Sequence, residues 1–554
     1  MTSPPCSSAP RSASPPHRSS SSSSAAWRER SPRFGTQGFG WSRLLAAAIL
    51  LALAGCASLP ANVERRESHA FADSHDTTLG RVVAASASDD AGDRSGFRLL
   101  PDADDALEVR LALIRSAERS IDVQYYLIAN DGTGRQFLAA LVAAASRGVR
   151  VRLLVDDLCT AREDALFAAL SGLPGFEVRL FNPLPARTGG FATRVALSSH
   201  QFARVNRRMH NKLLIADGSF AVTGGRNVAD EYFDRGYANF IDLDLLSTGP
   251  VVATLAALFD EFWSSTWAYP ASTLLRAGDD AARERATLLL QALGSAAAPA
   301  HERAGESDEP TLADEIAHGR VALRFAPARV VADSPDGIGD DEPGHDDGPV
   351  MRAHLELLAG ARSSVVVATP YFLPGAAGLS TLRAASERGI RLSVLTNSLA
   401  TTDEPLVHFG YARYREGLLR LGVALHELIP TRAAPAGSDV DRHGASLGRL
   451  HAKLVVVDER WVSIGSMNID RRSARSNTES MIVIDDPGLA AEAIAFLDPG
   501  RTTGSYALRL AAGGRRIEWV AGDGGGVLRA EPTPFGGPGL KPRLASFFVS
   551  EELL

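Results

Sequence analysis

Two stretches of this 554-residue chain repeat each other at one fixed offset. Arg147-Gly148-Val149-Arg150-Val151 returns as Arg388-Gly389-Ile390-Arg391-Leu392, and 388 − 147 = 241. His210-x-Lys212 and Asp217 return as His451-x-Lys453 and Asp458, and Gly224 and Asn227 return as Gly465 and Asn468, all at the same shift. One offset held over about eighty residues marks a duplicated domain. The length agrees, since it is too great for one ordinary core and suits two domains with appendages.

Each copy reads as alternating strand and helix. Ser120 to Leu127 and Ser364 to Phe372 are strand-like, and so are Val149 to Val155 and Ile390 to Leu395. Gln136 to Ser146 and Leu379 to Ser386 are helical, each followed by an Arg-Gly stop. Lys212 to Ile215 and Lys453 to Val457 read as strands that end at an Asp. Such alternation predicts mostly parallel or mixed sheets covered by helices.

The repeated unit His-x-Lys-x4-Asp carries the chemistry. On an extended strand, residues two apart share a face, so His210 points with Lys212 and His451 with Lys453. Lysine offers a point charge to phosphate oxygens, and histidine serves as nucleophile or as acid and base near neutral pH. Gly224-Gly225-Arg226-Asn227 and Gly465-Ser466-Met467-Asn468 follow. Glycine allows close backbone approach, and the amides of Asn227 and Asn468 can donate to a phosphoryl oxygen. A lone histidine of this kind would count as an ordinary core or surface residue; the same constellation twice reverses that reading.

The two units resemble the paired HKD motifs of the phospholipase D superfamily. The second copy continues as Asn468-x-Asp470-x-Arg472-Ser473, then Asn477 and Glu479, which fits that family. The similarity spans about residues 97 to 500. Within the superfamily the chain is similar to bacterial cardiolipin synthases of the C type, through Asn206-Arg207-Arg208-Met209-His210-Asn211-Lys212, Asp122-Val123-Gln124-Tyr125-Tyr126 and Leu395-Thr396-Asn397-Ser398-Leu399-Ala400. Gly410-Tyr411-Ala412-Arg413-Tyr414-Arg415 and Gly444-Ala445-Ser446-Leu447 add to the likeness.

The resemblance implies two tandem phospholipase D-like α-β-α sandwich domains packed about a pseudo-twofold axis, with both motifs in one cleft. It implies a phosphohistidine intermediate, with one histidine attacking and the other acting as general acid and base. Motif symmetry leaves the assignment open, and His210 is taken as the nucleophile. Lys212, Lys453, Asn227 and Asn468 would hold the phosphoryl oxygens without a metal or other cofactor. Asp242 and Glu479 would fix the imidazole tautomers. Asp217 and Asp458, though in the catalytic motif, would be structural charges beneath the site. The implied reaction is transfer of a phosphatidyl group to phosphatidylglycerol, giving cardiolipin, with phosphatidylglycerol and phosphatidylethanolamine as candidate lipids and room for a helper protein. With water as acceptor the same site would be a phospholipase D. A superfamily nuclease is disfavoured by two motifs in one chain and by a net charge of -7, since nucleic-acid affinity rests largely on basic surface.

The expected division is a leader over 1–56, a linker over 57–96, domains over 97–280 and 349–500, a linker with an acidic loop over 281–348 and a C-terminal extension over 501–554. The leader opens on Ser and Pro, then has Arg28, Arg30, Arg33 and Arg43 before an apolar run from Leu44 to Leu53. That run is too short for a comfortable membrane span, and its flanks are those of a secretory signal. Leu53-Ala54-Gly55-Cys56 resembles a bacterial lipobox, which implies a lipid on Cys56 and a periplasmic, membrane-anchored protein. Ala57 resembles the outer-membrane sorting pattern. Asp340, Asp341, Glu342, Asp346 and Asp347 flank His345 in a glycine- and proline-rich stretch, read as a solvated linker and not a metal loop. Cys159 reads as a small core residue. Phe181 to Arg208 mixes Phe181, Leu184, Phe191, Val195 and Phe202 with five arginines. It would either meet an anionic bilayer or pack on the second domain.

Overall fold

The computed structural model describes residues 58–533, apart from 72–73, 88–91, 161–162, most of 276–309, 339–347, 431–446 and 515. The leader, Cys56 and the acidic run from Asp340 to Asp347 lie outside the described residues.

Strands buried on both faces read as unbroken apolar runs, and the strand after each motif shows why. In Leu213–Ala216, Leu214 and Ala216 enter one core while Leu213 and Ile215 enter another. In Leu454–Val457, Val455 and Val457 face outward to helices, and Leu454 and Val456 face the same shared core as Leu213. Each run is therefore sandwiched.

The first sheet has nine strands and the second ten. Six central strands follow one order in both. In the first sheet it is Phe176–Phe181, Arg150–Asp156, Ser120–Tyr125, Leu213–Ala216, Phe220–Gly224 and Asp244–Thr248. In the second it is Ala424–Leu428, Arg391–Asn397, Ser364–Ala368, Leu454–Val457, Trp461–Gly465 and Ser480–Asp485. The first three of each set pair in parallel and the rest antiparallel. Helices Ala103–Ser116 and Gly132–Ser146 cover the outer face of the first sheet, and Gly375–Glu387 and Pro405–Ala412 that of the second. The inner faces share one core with helices Pro250–Ser264 and Pro487–Thr502. These are the two expected sandwiches.

Boundaries are set by local chemistry. Gly132–Ser146 begins four residues before the expected Gln136, because Asp131 caps it by accepting from the Gly134 N–H. It ends at Gly148, whose φ of +94° closes the helix as the Arg-Gly signal predicts. The strand expected to reach Phe372 stops at Ala368, before Pro370.

Both expected linkers contain structure. Thr78–Ser86 is a helix with Leu79 and Val82 in the first core. Arg324–Ala326 joins the first sheet and Ala328–Ala332 the second, with Pro327 alone between them. The C-terminal extension adds Ser505–Leu510, Ile517–Ala521 and Val527–Leu528 to the second sheet. These pieces are short, and the cores and sheets they join hold them in place. Among the described residues no helix is long and apolar enough to cross a membrane.

Candidate active site

Each motif lies where its own chain crosses to the other half. Arg208–Met209 pairs in parallel with Asn477–Thr478, and Leu447–Leu450 with Ala238–Ile241. The His210 N–H donates to the Thr478 carbonyl at 2.9 Å, and the His451 N–H to Ile241 at 2.8 Å. His210 and His451 are thus brought to one joint by exchanged ladders related by a pseudo-twofold. The histidines and lysines sit just before the strands, not on them: regular pairing begins at Leu213 and Leu454.

The residue before each histidine is also pinned. Asp156 Oδ2 accepts the Met209 N–H at 3.0 Å, and Asn397 Oδ1 accepts the Leu450 N–H at 2.9 Å. Asp156 and Asn397 differ by 241, so this buttress is part of the duplication.

The carboxylates are crossed. His210 Nδ1 lies 3.0 Å from both oxygens of Glu479, and His451 Nδ1 lies 2.6 Å from Asp242 Oδ2. With the carboxylate accepting, Nδ1 carries the proton and Nε2 is left for chemistry. Lys212 and Lys453 each reach back to the carbonyl of their own histidine at 2.6 Å. Lys453 Nζ also sits 2.9 and 3.1 Å from the two ring nitrogens of His451. The edges of Tyr126 and Tyr232 meet His210 and His451 at centroid distances of 5.2 and 5.1 Å. Both histidines, both lysines and both carboxylates are buried.

Burial dominates the electrostatics. It lowers the Lys212 ammonium to about 7 and that of Lys453 to about 8, against the pull of Glu479 and Asp242. Burial, then Lys212 and Lys453, holds His210 well below its usual value. Burial raises Glu479 to about 7, with Lys212 and the Ser466 hydroxyl opposing. Asp242 differs: burial works against its charge, but His451, their hydrogen bond and Lys453 outweigh that and keep it low. The carboxylate of the first pair is therefore raised toward neutrality, while that of the second is held low.

The counterpart of Ser466 is Gly225, since 466 − 225 = 241. Ser466 Oγ donates to Glu479 at 2.5 Å. A Cβ on Gly225 would fall 2.1 Å from Asp242 Oδ1, so only glycine leaves room for that carboxylate.

Asn227 is buried and its amide donates to Tyr232 Oη at 2.9 Å, while its oxygen has no partner among the described residues. Asn468 is likewise buried with an unpartnered oxygen. Asp217 accepts the N–H groups of Glu118, Arg119 and Ser120, and Asp458 those of Arg362, Ser363 and Ser364. Each Asp fastens the turn that enters the strand beside its motif, and neither touches a histidine. Cys159 is half-buried and electrostatically coupled to Tyr126 and Lys212, so it lies near the site and not in a remote core.

The stretch from Phe181 to Arg208 is turned inward at its two ends, and much of 188–203 is exposed. Phe181 and Leu184 are buried, Arg187 and Arg194 pair with Asp157 and Asp164, and Arg208 is sealed against Asp156. Phe202 remains, at 47% exposure. Sequence reasoning had no role for Asp156, Asn397, Ser466, Tyr126 or Tyr232. The first three repeat or break the 241-residue symmetry and were visible there; the tyrosines were not.

Two sandwiches of one topology, with paired His-Lys motifs and crossed carboxylates, define a class of fold and site. Residues 111–263 and 354–498 match the family model described as cardiolipin synthase, PLD-like domain. The chain is 35% identical to cardiolipin synthase C of Escherichia coli over 463 residues, 81% of this chain and 94% of that one. It is 30% identical to an uncharacterized protein of Helicobacter pylori, over 87% of this chain and 93% of that one. The phosphatidylserine synthase structure from Haemophilus influenzae superposes with a TM-score of 0.50 at 14% identity, over 78% of this chain and 92% of that one, and shares the fold. The chain belongs to the cardiolipin synthase family of PLD-like domains, within the phospholipase D superfamily. It is a phospholipase D-type enzyme.

Proposed function

We propose that this chain makes cardiolipin by moving a phosphatidyl group onto phosphatidylglycerol. The observation that carries the reading is the crossed joint, with His210 held by Glu479 and His451 by Asp242. In the first step His210 Nε2 attacks phosphorus, the bond to the leaving alcohol breaks, and His451 gives that oxygen a proton. In the second, His451 takes the proton of the incoming hydroxyl, the new O–P bond forms and the His210–phosphorus bond breaks. His210 suits attack because its surroundings keep it neutral, and His451 suits proton traffic because Asp242 stays charged beside it. Lys212 and Lys453 face the phosphoryl charge, with Asn227 and Asn468 as further ligands to its oxygens. Phosphatidylglycerol is the candidate donor, since its head group is of the same kind as the acceptor's, and phosphatidylethanolamine is the second candidate, compared in the test below.

We further infer that Cys56 carries a lipid anchor and that the enzyme works at the periplasmic side of the cell envelope, on a membrane surface. The support is the Arg-rich flank, short apolar run and Leu53-Ala54-Gly55-Cys56 pattern. Mass analysis of the mature N-terminus tests it, and an intact residue 1 overturns it.

The catalytic test uses the full chain with phosphatidylglycerol vesicles, with and without phosphatidylethanolamine. Cardiolipin formed by the wild type and lost in His210→Ala is the expected result. Phosphatidic acid alone would make the protein a phospholipase D.

A further inference from the structure

The duplication breaks down in charge around the two histidines. The position 241 residues after Glu231 is Arg472, and the position 241 before Asp403 is Arg162. In sequence, an acidic residue of one copy thus stands where an arginine stands in the other. Lys212, Lys453, His451 and Arg472 add positive charge around His210 and its partner Glu479, whereas His451 feels Asp403 as well as its neighbour Lys453 and its partner Asp242. Glu163, the counterpart of Glu404, is occupied by the Asn130 amide at 2.8 Å. Glu404 itself has no hydrogen-bond or ion-pair partner for its carboxyl among the described residues.

Asp403 lies between the strand Arg391–Asn397 and the helix Pro405–Ala412. Tyr371 Oη donates to its Oδ2 at 2.8 Å, and its Oδ1 is buried with no partner among the described residues. Asp403 is within electrostatic reach of His451, Lys453, Tyr232 and Glu231. A second unpartnered group lies on the adjoining segment: Asn468 is 6% exposed and its amide oxygen has no partner. Its neighbour Ile469 bridges to Phe372 and accepts the Leu373 N–H at 2.7 Å, next to Tyr371. Buried polar atoms left without partners in a cleft call for a ligand that supplies them.

We propose that Asp403, held by Tyr371 and flanked by Glu231 and Glu404, is the subsite that recognises a polyhydroxyl head group beside His451. This rests on the reaction proposed above and names the residues that choose its alcohol. Head group leaves and acceptor enters on the side where the acid and base stands, so one set of acceptor oxygens serves both. A hydroxyl both donates and accepts. The subsite suits that, since burial lifts Glu231 to about 7 and burial with Asp403 lifts Glu404 to about 8, so these carboxyls hold a proton more readily than ordinary ones and can donate as well as accept. An ammonium head group only donates and would be served by ionised groups alone.

The test compares wild type, Asp403→Asn and Asp403→Glu in the full chain. Head-group-labelled phosphatidylglycerol vesicles supply the donor, and glycerol or ethanolamine is titrated as soluble acceptor. Loss of one charged hydrogen bond predicts that Asp403→Asn raises the KM for glycerol about tenfold and lowers the ratio of transfer to hydrolysis about as much. Asp403→Glu should recover part of both. An unchanged KM and ratio would overturn the subsite, and so would a rise for ethanolamine without one for glycerol. If the wild type releases no labelled head group, the proposed reaction has failed. The subsite is then judged by binding of glycerophosphoglycerol, about tenfold weaker in Asp403→Asn if the subsite stands and equal if it does not.

Discussion

Glu479 of the second half holds the Nδ1 of His210 in the first at 3.0 Å, 269 residues away in sequence. It orients the imidazole across the joint and is itself held by Ser466 at 2.5 Å. Replacing it with Gln removes the charge and turns one acceptor oxygen into an NH2 donor, which can select the wrong tautomer. Glu479→Gln should lower kcat about a thousandfold with little change in KM, by analogy with carboxylates in other histidine sites. A fall confined to KM would contradict the orienting role.

The two histidines should separate with an activated leaving group. His451→Ala should still release p-nitrophenol from a p-nitrophenyl phosphodiester in a burst, because that alcohol needs no proton. His210→Ala should give no burst. The reverse pattern in rapid-mixing experiments would exchange the two roles.

The lysines give an alkaline limit. A lysine of lowered pKa is charged below that value and neutral above it, and Lys212 and Lys453 stand at about 7 and about 8. The kcat/KM profile should therefore fall as pH rises through 7 to 8. In kcat the fall should move upward, because a bound phosphodiester anion favours the charged lysines. A flat profile from pH 7 to 9 would show that neither ammonium is needed; the window brackets those two values.

Gly225 and Ser466 occupy equivalent places and should not be exchangeable. Gly225→Ser puts atoms where Asp242 sits and should cost at least about a hundredfold in kcat. Ser466→Gly removes one hydrogen bond to Glu479 and should cost about tenfold, as a charged hydrogen bond would. Equal losses would mean that the asymmetry has no functional weight.

Asp217 should behave as a fastening and not as a catalyst. Asp217→Asn weakens three buried backbone contacts at the turn before Ser120–Tyr125 and should lower stability by about 2 kcal/mol. Denaturant unfolding with kcat measured on the folded fraction checks this. Full stability with lost turnover would place Asp217 in the chemistry.

Much of this was legible in the chain itself. The 241-residue offset, the runs Leu213–Ala216 and Leu454–Val457 and the Arg-Gly stops follow from periodicity and backbone preference. Less legible were short pieces such as Thr78–Ser86 and Ala328–Ala332: the Ser86 hydroxyl accepts the Val321 N–H, and Ala328–Ala332 pairs with Ser480–Asp485, partners that no local pattern shows. For the mixed stretch from Phe181 to Arg208 the sequence left a bilayer contact and packing on the second domain both open, and it did not show that Arg187, Arg194 and Arg208 pair with Asp157, Asp164 and Asp156. Composition counts charges but does not pair them.

The sequence by itself determined that there are two copies of one unit and that each carries His, Lys and Asn in the same order, because residue identity and spacing are properties of the chain. Only the tertiary structure decided that each carboxylate serves the other copy's histidine. Glu479 and Asp242 reach His210 and His451 through strand ladders exchanged at the joint. Such pairing depends on how two sheets pack, and packing depends on burial across the whole molecule and on no local pattern.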